Sequence, residues 1–248
     1  MLSRYIALAL PLALLLSLLG KVADAAKDAG QLLKDAETIR NPQEDYEVKV
    51  TLEDRKGEKR EEHTYESLVK GRSKSLVKYL TPEIDKGTKV LMVDDQMWVY
   101  VPTTAKPIRI AARQRLTGNA AYGDVARLSF VDNYTAKILR EDTFKGKKST
   151  VLELSSVPGR PVTYDRVEYW IDAANQRPLK ALYQTSSGKT LREGYFEDFK
   201  EVFGIMRPTK FVLVDVLSTD HTTNLIFSDA KKKKLPDLLF EKQNFGRN

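Results

Sequence analysis

Two serine–lysine pairs, Ser67-Leu-Val-Lys70 and Ser75-Leu-Val-Lys78, have the Ser-x-x-Lys spacing with which penicillin-binding enzymes activate a serine nucleophile. That chemistry needs the serine to open a helix beside its lysine. Both copies instead lie in alternating, strand-like sequence, and no Ser-Asp-Asn or Lys-Thr-Gly element follows. Ser187-Gly-Lys-Thr190 matches the end of a phosphate-binding loop, but the glycine required five residues before Gly188 is Tyr183, so the segment reads as a turn. His63 and His221 stand apart, beside Glu61, Glu62 and Asp220. A metal centre would need the fold to unite them and add a third ligand, and the plainer reading is two surface histidines. Asp94 and Asp95 are adjacent at a hairpin tip, where they face opposite ways and are solvated, which suits a turn better than acid–base work. No catalytic residue, metal ligand or cofactor is therefore expected.

What remains is apolar and aromatic. Leu91, Trp98, Tyr100, Tyr122, Phe130, Tyr169, Phe211 and Phe227 fall on expected strands or in an insertion between them, and are the candidates to line a binding cavity. For any single one of them the plainer reading is ordinary core. A pocket for acyl chains needs no exact polar geometry, because burial of each methylene group contributes about 0.8 kcal/mol. Such a site leaves little motif. Lys231 to Lys234 reads as a solvated turn, or as a contact for membrane headgroups or an acidic partner.

The elements that must position these residues are mostly strands. Ala29, Leu32, Leu33, Ala36 and Ile39 recur at three and four, which predicts a helix from Ala26 to Ile39, ended by Asn41-Pro42. Alternation then predicts strands over 46–52, 63–69 and 75–80. Lys89-Val-Leu-Met-Val93 and Met97-Trp-Val-Tyr-Val101 are apolar on both faces, so both faces must be covered. Ile108 and Ile110 begin a further extended piece. Between Leu116 and Asn133 the two-residue period is lost, and a loop with a short helix capped near Asp124 is expected. Strands resume over 135–139, 149–154, 166–171, 179–185, 211–216 and 223–227, while Gly194 to Lys200 is aromatic-rich. Hairpin-length links between these strands suit an antiparallel sheet curling toward a barrel, although a sandwich would also fit. The expected fold is mainly β: an unclosed, half antiparallel barrel of about eleven strands, with an N-terminal helix and a helical insertion over the concave face.

The ends and the composition narrow the setting. Arg4, the apolar stretch from Tyr5 to Leu19 and the small residues of Ala23-Asp-Ala25 read as an export signal over 1–25, cleaved after about Ala25; a membrane anchor is the competing reading, but the run is short of the ~20 apolar residues a span requires. The mature chain, 26–248, is expected to be one periplasmic domain. It has no cysteine, which excludes a disulfide-stapled fold and a lipidated N-terminal cysteine. A net charge of +7 without any basic helix or zinc signature gives no nucleic-acid role and suits transient contact with anionic headgroups.

Several stretches, in order along most of the mature chain, carry a likeness. They are Leu33-Lys-Asp-Ala-Glu-Thr-Ile-Arg40-Asn-Pro42, Met97-Trp-Val-Tyr-Val-Pro102 running into Lys106-Pro-Ile-Arg-Ile110, and Tyr122-Gly-Asp124. The second half adds Ile171-Asp172 with Arg177-Pro-Leu-Lys180, Gly204-Ile-Met-Arg-Pro208 and Leu235-Pro-Asp-Leu-Leu-Phe240. Each alone is unspecific, but their order resembles the LolA/LolB-like outer-membrane lipoprotein-sorting proteins. The resemblance implies a non-catalytic carrier that shields the acyl chains of a lipoprotein or lipid across the periplasm, receiving it from an inner-membrane transporter. It also implies a basic residue near the cavity mouth, which no motif here places. The competing readings are a periplasmic adaptor whose barrel is filled by its own side chains, and a hydrolase with an unrecognised site.

Overall fold

Period-two alternation sends Tyr46, Val48, Val50 and Leu52 to one side of the first strand, where each is at most 2 % exposed, and Glu47, Lys49 and Thr51 to the other. The same rule repeats around one large antiparallel sheet. The computed structural model describes residues 28–245 apart from 95, 105 and 161, so the export signal expected over 1–25 lies outside the described residues. Six strands come first: β1 (Tyr46–Lys56), β2 (Lys59–Lys70), β3 (Lys74–Thr81), β4 (Lys89–Val93), β5 (Gln96–Tyr100) and β6 (Ile108–Ile110). An insertion follows, with a small hairpin of β7 (Arg115–Thr117) and β8 (Ala120–Ala121). Seven strands complete the fold: β9 (Tyr134–Phe144), β10 (Lys147–Ser156), β11 (Arg166–Asp172), β12 (Pro178–Gln184), β13 (Thr190–Val202), β14 (Ile205–Asp215) and β15 (His221–Lys232).

Strand order explains the shape. The main sheet runs β6-β5-β4-β3-β2-β1-β15-β14-β13-β12-β11-β10-β9, so β1 and β15 pair in the middle while β6 and β9 are the two free edges. The chain must therefore cross from one edge to the other between Ile110 and Tyr134. The break in periodicity seen in the sequence is that crossing, and it passes over the open side of the half-barrel. This sheet has thirteen strands rather than about eleven. Ile108–Ile110 joins as an edge, and Thr190–Val202 is a strand that its sequence conceals. Gly194 interrupts the apolar alternation there because the rings of Tyr183 and Phe211 press on its backbone: an added Cβ would lie 2.6 Å from Tyr183 Cε2 and 2.8 Å from Phe211 Cε2.

Helix α1 (Ala29–Arg40) begins at Asp28, whose carboxylate accepts from the Gly30 N–H at 3.1 Å, and ends at Asn41, whose extended backbone leads into Pro42. It buries Leu32, Leu33 and Ala36 against the concave side of β9, β12 and β14. The insertion holds two single-turn helices, α2 (Tyr122–Val125) and α3 (Phe130–Asn133), where one was expected. Asp124 is not the cap of α2 but its third residue, accepting from the Ala121 N–H at 2.8 Å. Among the described residues no helix is long and apolar enough to cross a membrane.

Both faces of β4 and β5 are covered, as their sequence demands. Val90, Met92, Met97 and Val99 join the concave core, while Leu91 and Trp98 form a separate convex cluster with Leu68 and Leu76, roofed by Leu235, Phe240 and Phe245 of the C-terminal segment. Lys70 and Lys74 fasten that segment by ion pairs to Asp237 at 3.2 and 2.9 Å. Lys231 and Lys232 end β15 rather than forming a turn, and Lys232 pairs with Glu44 at 3.0 Å.

Candidate functional site

Helix α1 and the insertion lie over the concave face of the second half of the sheet and enclose a cavity between them. Its walls come from Phe130 and Tyr134 on the insertion side, from Tyr183, Phe196, Phe211 and Phe227 on the sheet, and from Val162 and Tyr164 in the loop before β11. The rings form a connected set: Phe130 meets Tyr134 and Tyr169 edge-on at 5.4 and 5.5 Å, and Phe196 stacks on Phe211 at 4.9 Å. Little space is left among them. The cavity measures about 40 Å³, room for no more than a few water molecules.

Charged groups intrude at two points. On α1, Glu37 is 3 % exposed and Arg40 is 14 % exposed, one helical turn apart on the buried side. Arg40 donates from Nε and Nη2 to the Glu37 carboxylate at 3.0 and 3.1 Å, donates from Nη2 to the Leu128 carbonyl at 2.8 Å, and lies 4.0 Å above the Phe130 ring. Glu37 also accepts from Asn41 Nδ2 at 2.8 Å and from the Phe130 N–H at 3.3 Å. Burial disfavours the Arg40 cation, but Glu37 and the surrounding tyrosines outweigh it and hold the guanidinium above its ordinary value. From the insertion, Arg127 donates from Nε to Asn41 Oδ1 at 2.7 Å and from Nη2 to the Arg40 carbonyl. These few polar bonds tie the end of α1 to the segment between α2 and α3.

The second point is Asp124, whose carboxyl is enclosed beside Tyr164 and accepts from its hydroxyl at 3.1 Å. Burial pushes its pKa up to about 6, against the Ala121 N–H, Arg192, Tyr164 and Arg40, all of which favour the anion. Folded Asp124 thus holds its proton more tightly than the unfolded chain does. The stability this gives is complete below about pH 4 and is lost as pH rises through about 6. Asp124→Asn keeps an acceptor for Ala121 and Tyr164 and removes the titration. The variant is expected to be more stable than the parent at pH 7.5, by up to about 3 kcal/mol, and no more stable at pH 4. Urea denaturation of both proteins at the two pH values measures this difference.

The far end of the insertion is pinned separately. Asn119 donates its backbone N–H to Thr223 Oγ1 at 2.8 Å and its side-chain amide to the His221 carbonyl at 3.0 Å. Thr223 donates to Asp54 at 2.5 Å, and His221 Nε2 lies 3.1 Å from the same carboxylate. Gly118 turns here at φ +57°, so close to Asp54 that a Cβ would overlap its carboxylate at 1.9 Å. His221 is accordingly a buried residue, 4 % exposed, rather than a surface histidine. Its sequence neighbours gave no sign of this because Asp54 and Asn119 reach it from other elements.

The cavity candidates divide by face. Phe130, Phe211 and Phe227 line the cavity, and Tyr169 packs directly behind Phe130. Tyr122 belongs to the insertion and packs on the concave core. Leu91, Trp98 and Tyr100 are on the convex side beneath the C-terminal segment, with Tyr100 6.3 Å from Phe245, and do not reach the cavity. The alternation that sends Val90 and Met92 inward sends Leu91 outward. Glu37, Arg40 and Arg127 were not singled out from the sequence. A signal for the first two was present, since Glu37 follows Leu33 by four and Arg40 follows Ala36 by four, on the apolar stripe of α1.

An unclosed antiparallel half-barrel, with a helix and a crossing insertion folded over an apolar concave face, defines a lidded-cavity protein. The chain belongs to the LolA superfamily. It is 35 % identical to a LolA superfamily protein from Nitrosomonas europaea, over 88 % of this chain and 99 % of that one, with a TM-score of 0.83. A family model described as "Uncharacterized protein" matches residues 71–247. The fold is shared with a DUF1329 family protein from Desulfovibrio piger, 21 % identical over 86 % of this chain and 95 % of that one at a TM-score of 0.75. It is also shared with an outer membrane lipoprotein-sorting protein domain from Vibrio parahaemolyticus, 20 % identical over 88 % and 98 % at a TM-score of 0.74. No curated protein matches the chain.

Proposed function

We propose that the protein is a non-catalytic periplasmic carrier, which takes the acyl chains of a lipoprotein or lipid between α1, the insertion and the concave sheet during transfer between membranes. The observation that carries this reading is the way the cavity is closed. A permanent lid is sealed as well or better by apolar side chains, since a buried ion pair gives little net stability over a well-packed hydrophobic replacement. Here the bonds that cross the seam between α1 and the insertion are polar, from Arg40 to the Leu128 carbonyl, from the Phe130 N–H to Glu37, and from Arg127 to Asn41 and the Arg40 carbonyl. Water can replace each of them when the two separate, while the Glu37–Arg40 pair stays within α1. Opening the seam would uncover Phe130, Phe211, Phe227 and the Tyr169 behind them, with Tyr122 moving on the insertion, and these are the residues we assign to the acyl chains. A basic residue at the cavity mouth, implied by the family but without a motif, is Arg40 in this reading. The inner-membrane transporter and a passing contact with the membrane surface belong to the same proposal.

The small closed volume favours a second reading, an adaptor of an envelope lipid exporter with its barrel filled by its own side chains. Native mass spectrometry of the mature protein, purified from periplasm without detergent, separates the two. A co-purifying lipid or acylated polypeptide supports the carrier. An empty protein that also fails to take up N-phenyl-1-naphthylamine, an uncharged apolar fluorophore, supports the adaptor.

A further inference from the structure

Three basic side chains, Arg40, Arg127 and Lys210, border the cavity, against the single acidic group Asp124 among its lining residues. Two of the three are matched. Arg40 holds Glu37, and Lys210 lies 3.4 Å from Glu197. Arg127 differs from both. Its residue is half-buried and its guanidinium is enclosed, yet among the described residues it pairs with no carboxylate. Its acceptors are a side-chain amide oxygen and a backbone carbonyl, both neutral, and its Cζ lies 4.6 Å from the centre of the Phe227 ring. A guanidinium offers five N–H donors, so the two bonds made leave others unspent. Glu37, the carboxylate whose charge reaches Arg127, is already engaged by Arg40, Asn41 and the Phe130 N–H. Arg207 lies close by but adds positive charge of its own, donating to the Thr38 and Ile39 carbonyls at the end of α1.

The backbone adds a second feature, shared among the described residues with six other non-glycine positions but, among those lining the cavity, with none. Arg127 has φ +59°, in the left-handed region where glycine or asparagine is easiest, at the junction between α2 and α3. Burying a cation against neutral acceptors, at a strained position, on the rim of an apolar cavity, is costly for the protein alone. Burial, with the like charge of Arg40 beside it, holds this guanidinium below its ordinary value even though Tyr46 and Glu37 act the other way. An oxyanion arriving with a ligand supplies a counter-ion, and a planar guanidinium meets carboxylate or phosphate oxygens through two parallel bonds.

Resting on the carrier reading, we infer that the cargo is an acidic amphiphile: an alkyl chain along Phe130, Phe211 and Phe227, with a carboxylate or phosphate group received by Arg127 at the rim. An acyl group bound to a polypeptide by ester or amide linkage is neutral and would leave Arg127 unmatched. The inference therefore favours a free acidic lipid over a lipoprotein as the cargo.

Displacement of N-phenyl-1-naphthylamine from the purified mature protein by decanoate, decyl phosphate and decanol tests this at constant chain length. One or both anions are expected to displace the fluorophore at about tenfold lower concentration than the alcohol, and the better anion names the headgroup. In Arg127→Gln the ratio between anion and decanol, read within the same protein so that any change in opening cancels, should fall to about one, and Arg127→Lys should keep part of it. Equal displacement by all three compounds overturns the inference and leaves the carrier standing, and so does a preference that survives in Arg127→Gln. A protein that binds neither fluorophore nor any of the three compounds overturns the carrier reading and this inference with it. The comparison of headgroups on the unaltered protein requires no variant to fold.

Discussion

Replacement of Glu37 by alanine is expected to lower the unfolding free energy by about 3–5 kcal/mol, the cost of leaving a buried cation without its partner. Glu37 is 3 % exposed, and its two oxygens gather Arg40, Asn41 and the first N–H of α3. Alanine leaves the Arg40 guanidinium between Phe130 and Leu128 with one carbonyl for company. The pairwise removal, Glu37→Leu with Arg40→Leu, should behave differently. Two leucines fill similar volume without any charge to desolvate, so the double variant is expected to recover most of the loss or to exceed the parent. It should also take up ligand more slowly, because leucines replace the seam bonds of Glu37 and Arg40 with apolar contacts that water does not compete for, leaving only the bonds of Arg127. Chemical denaturation of the three proteins, read beside the rate of N-phenyl-1-naphthylamine uptake, checks both parts. A double variant that is stable and takes up the fluorophore as fast as the parent would remove the latch from the mechanism.

The parts of this fold that were legible in the sequence are those fixed by local rules. Alternation names the buried residues of β1, the three-and-four spacing names Leu32, Leu33 and Ala36 of α1 but not the buried Glu37, and Asn41-Pro42 ends the helix where expected. The double-sided β4 and β5 foretell a second covering layer, though not that residues 235–245 supply it. Strand β13 was lost because Gly194 stands where a large inward residue would keep the pattern, and only the packed structure shows the rings that exclude one. Which face is concave cannot be read from alternation alone. That is why Leu91, Trp98 and Tyr100 were grouped with Phe130, Phe211 and Phe227 although a sheet lies between them. The polar contacts were hidden for a different reason: Arg40 and Leu128 are distant in sequence and meet only when the insertion crosses from β6 to β9, and Asp54 reaches His221 only when β1 pairs with β15.

Phe130→Ala should produce the second large effect, and it acts on stability and binding in opposite directions. Phe130 is 7 % exposed and touches Tyr134, Tyr169 and Arg40, so truncation is expected to cost about 3–5 kcal/mol. The space vacated adjoins a cavity of about 40 Å³ and enlarges it on its apolar side. Trp98→Ala is the matched control. Trp98 is 8 % exposed, sits under the C-terminal segment on the convex face, and its truncation should destabilise by a comparable amount. Only the concave variant should bind N-phenyl-1-naphthylamine more tightly than the parent. Ligand bound to the folded state alone returns stability by mass action, about 2.7 kcal/mol at a hundredfold excess over Kd. Saturating fluorophore should therefore raise the Tm of Phe130→Ala by more degrees than that of Trp98→Ala. Equal responses would mean that apolar ligands enter somewhere other than beneath α1 and the insertion. Gain of affinity in Trp98→Ala alone would move the site to the convex face, where the C-terminal segment, and not the insertion, would be the element that opens.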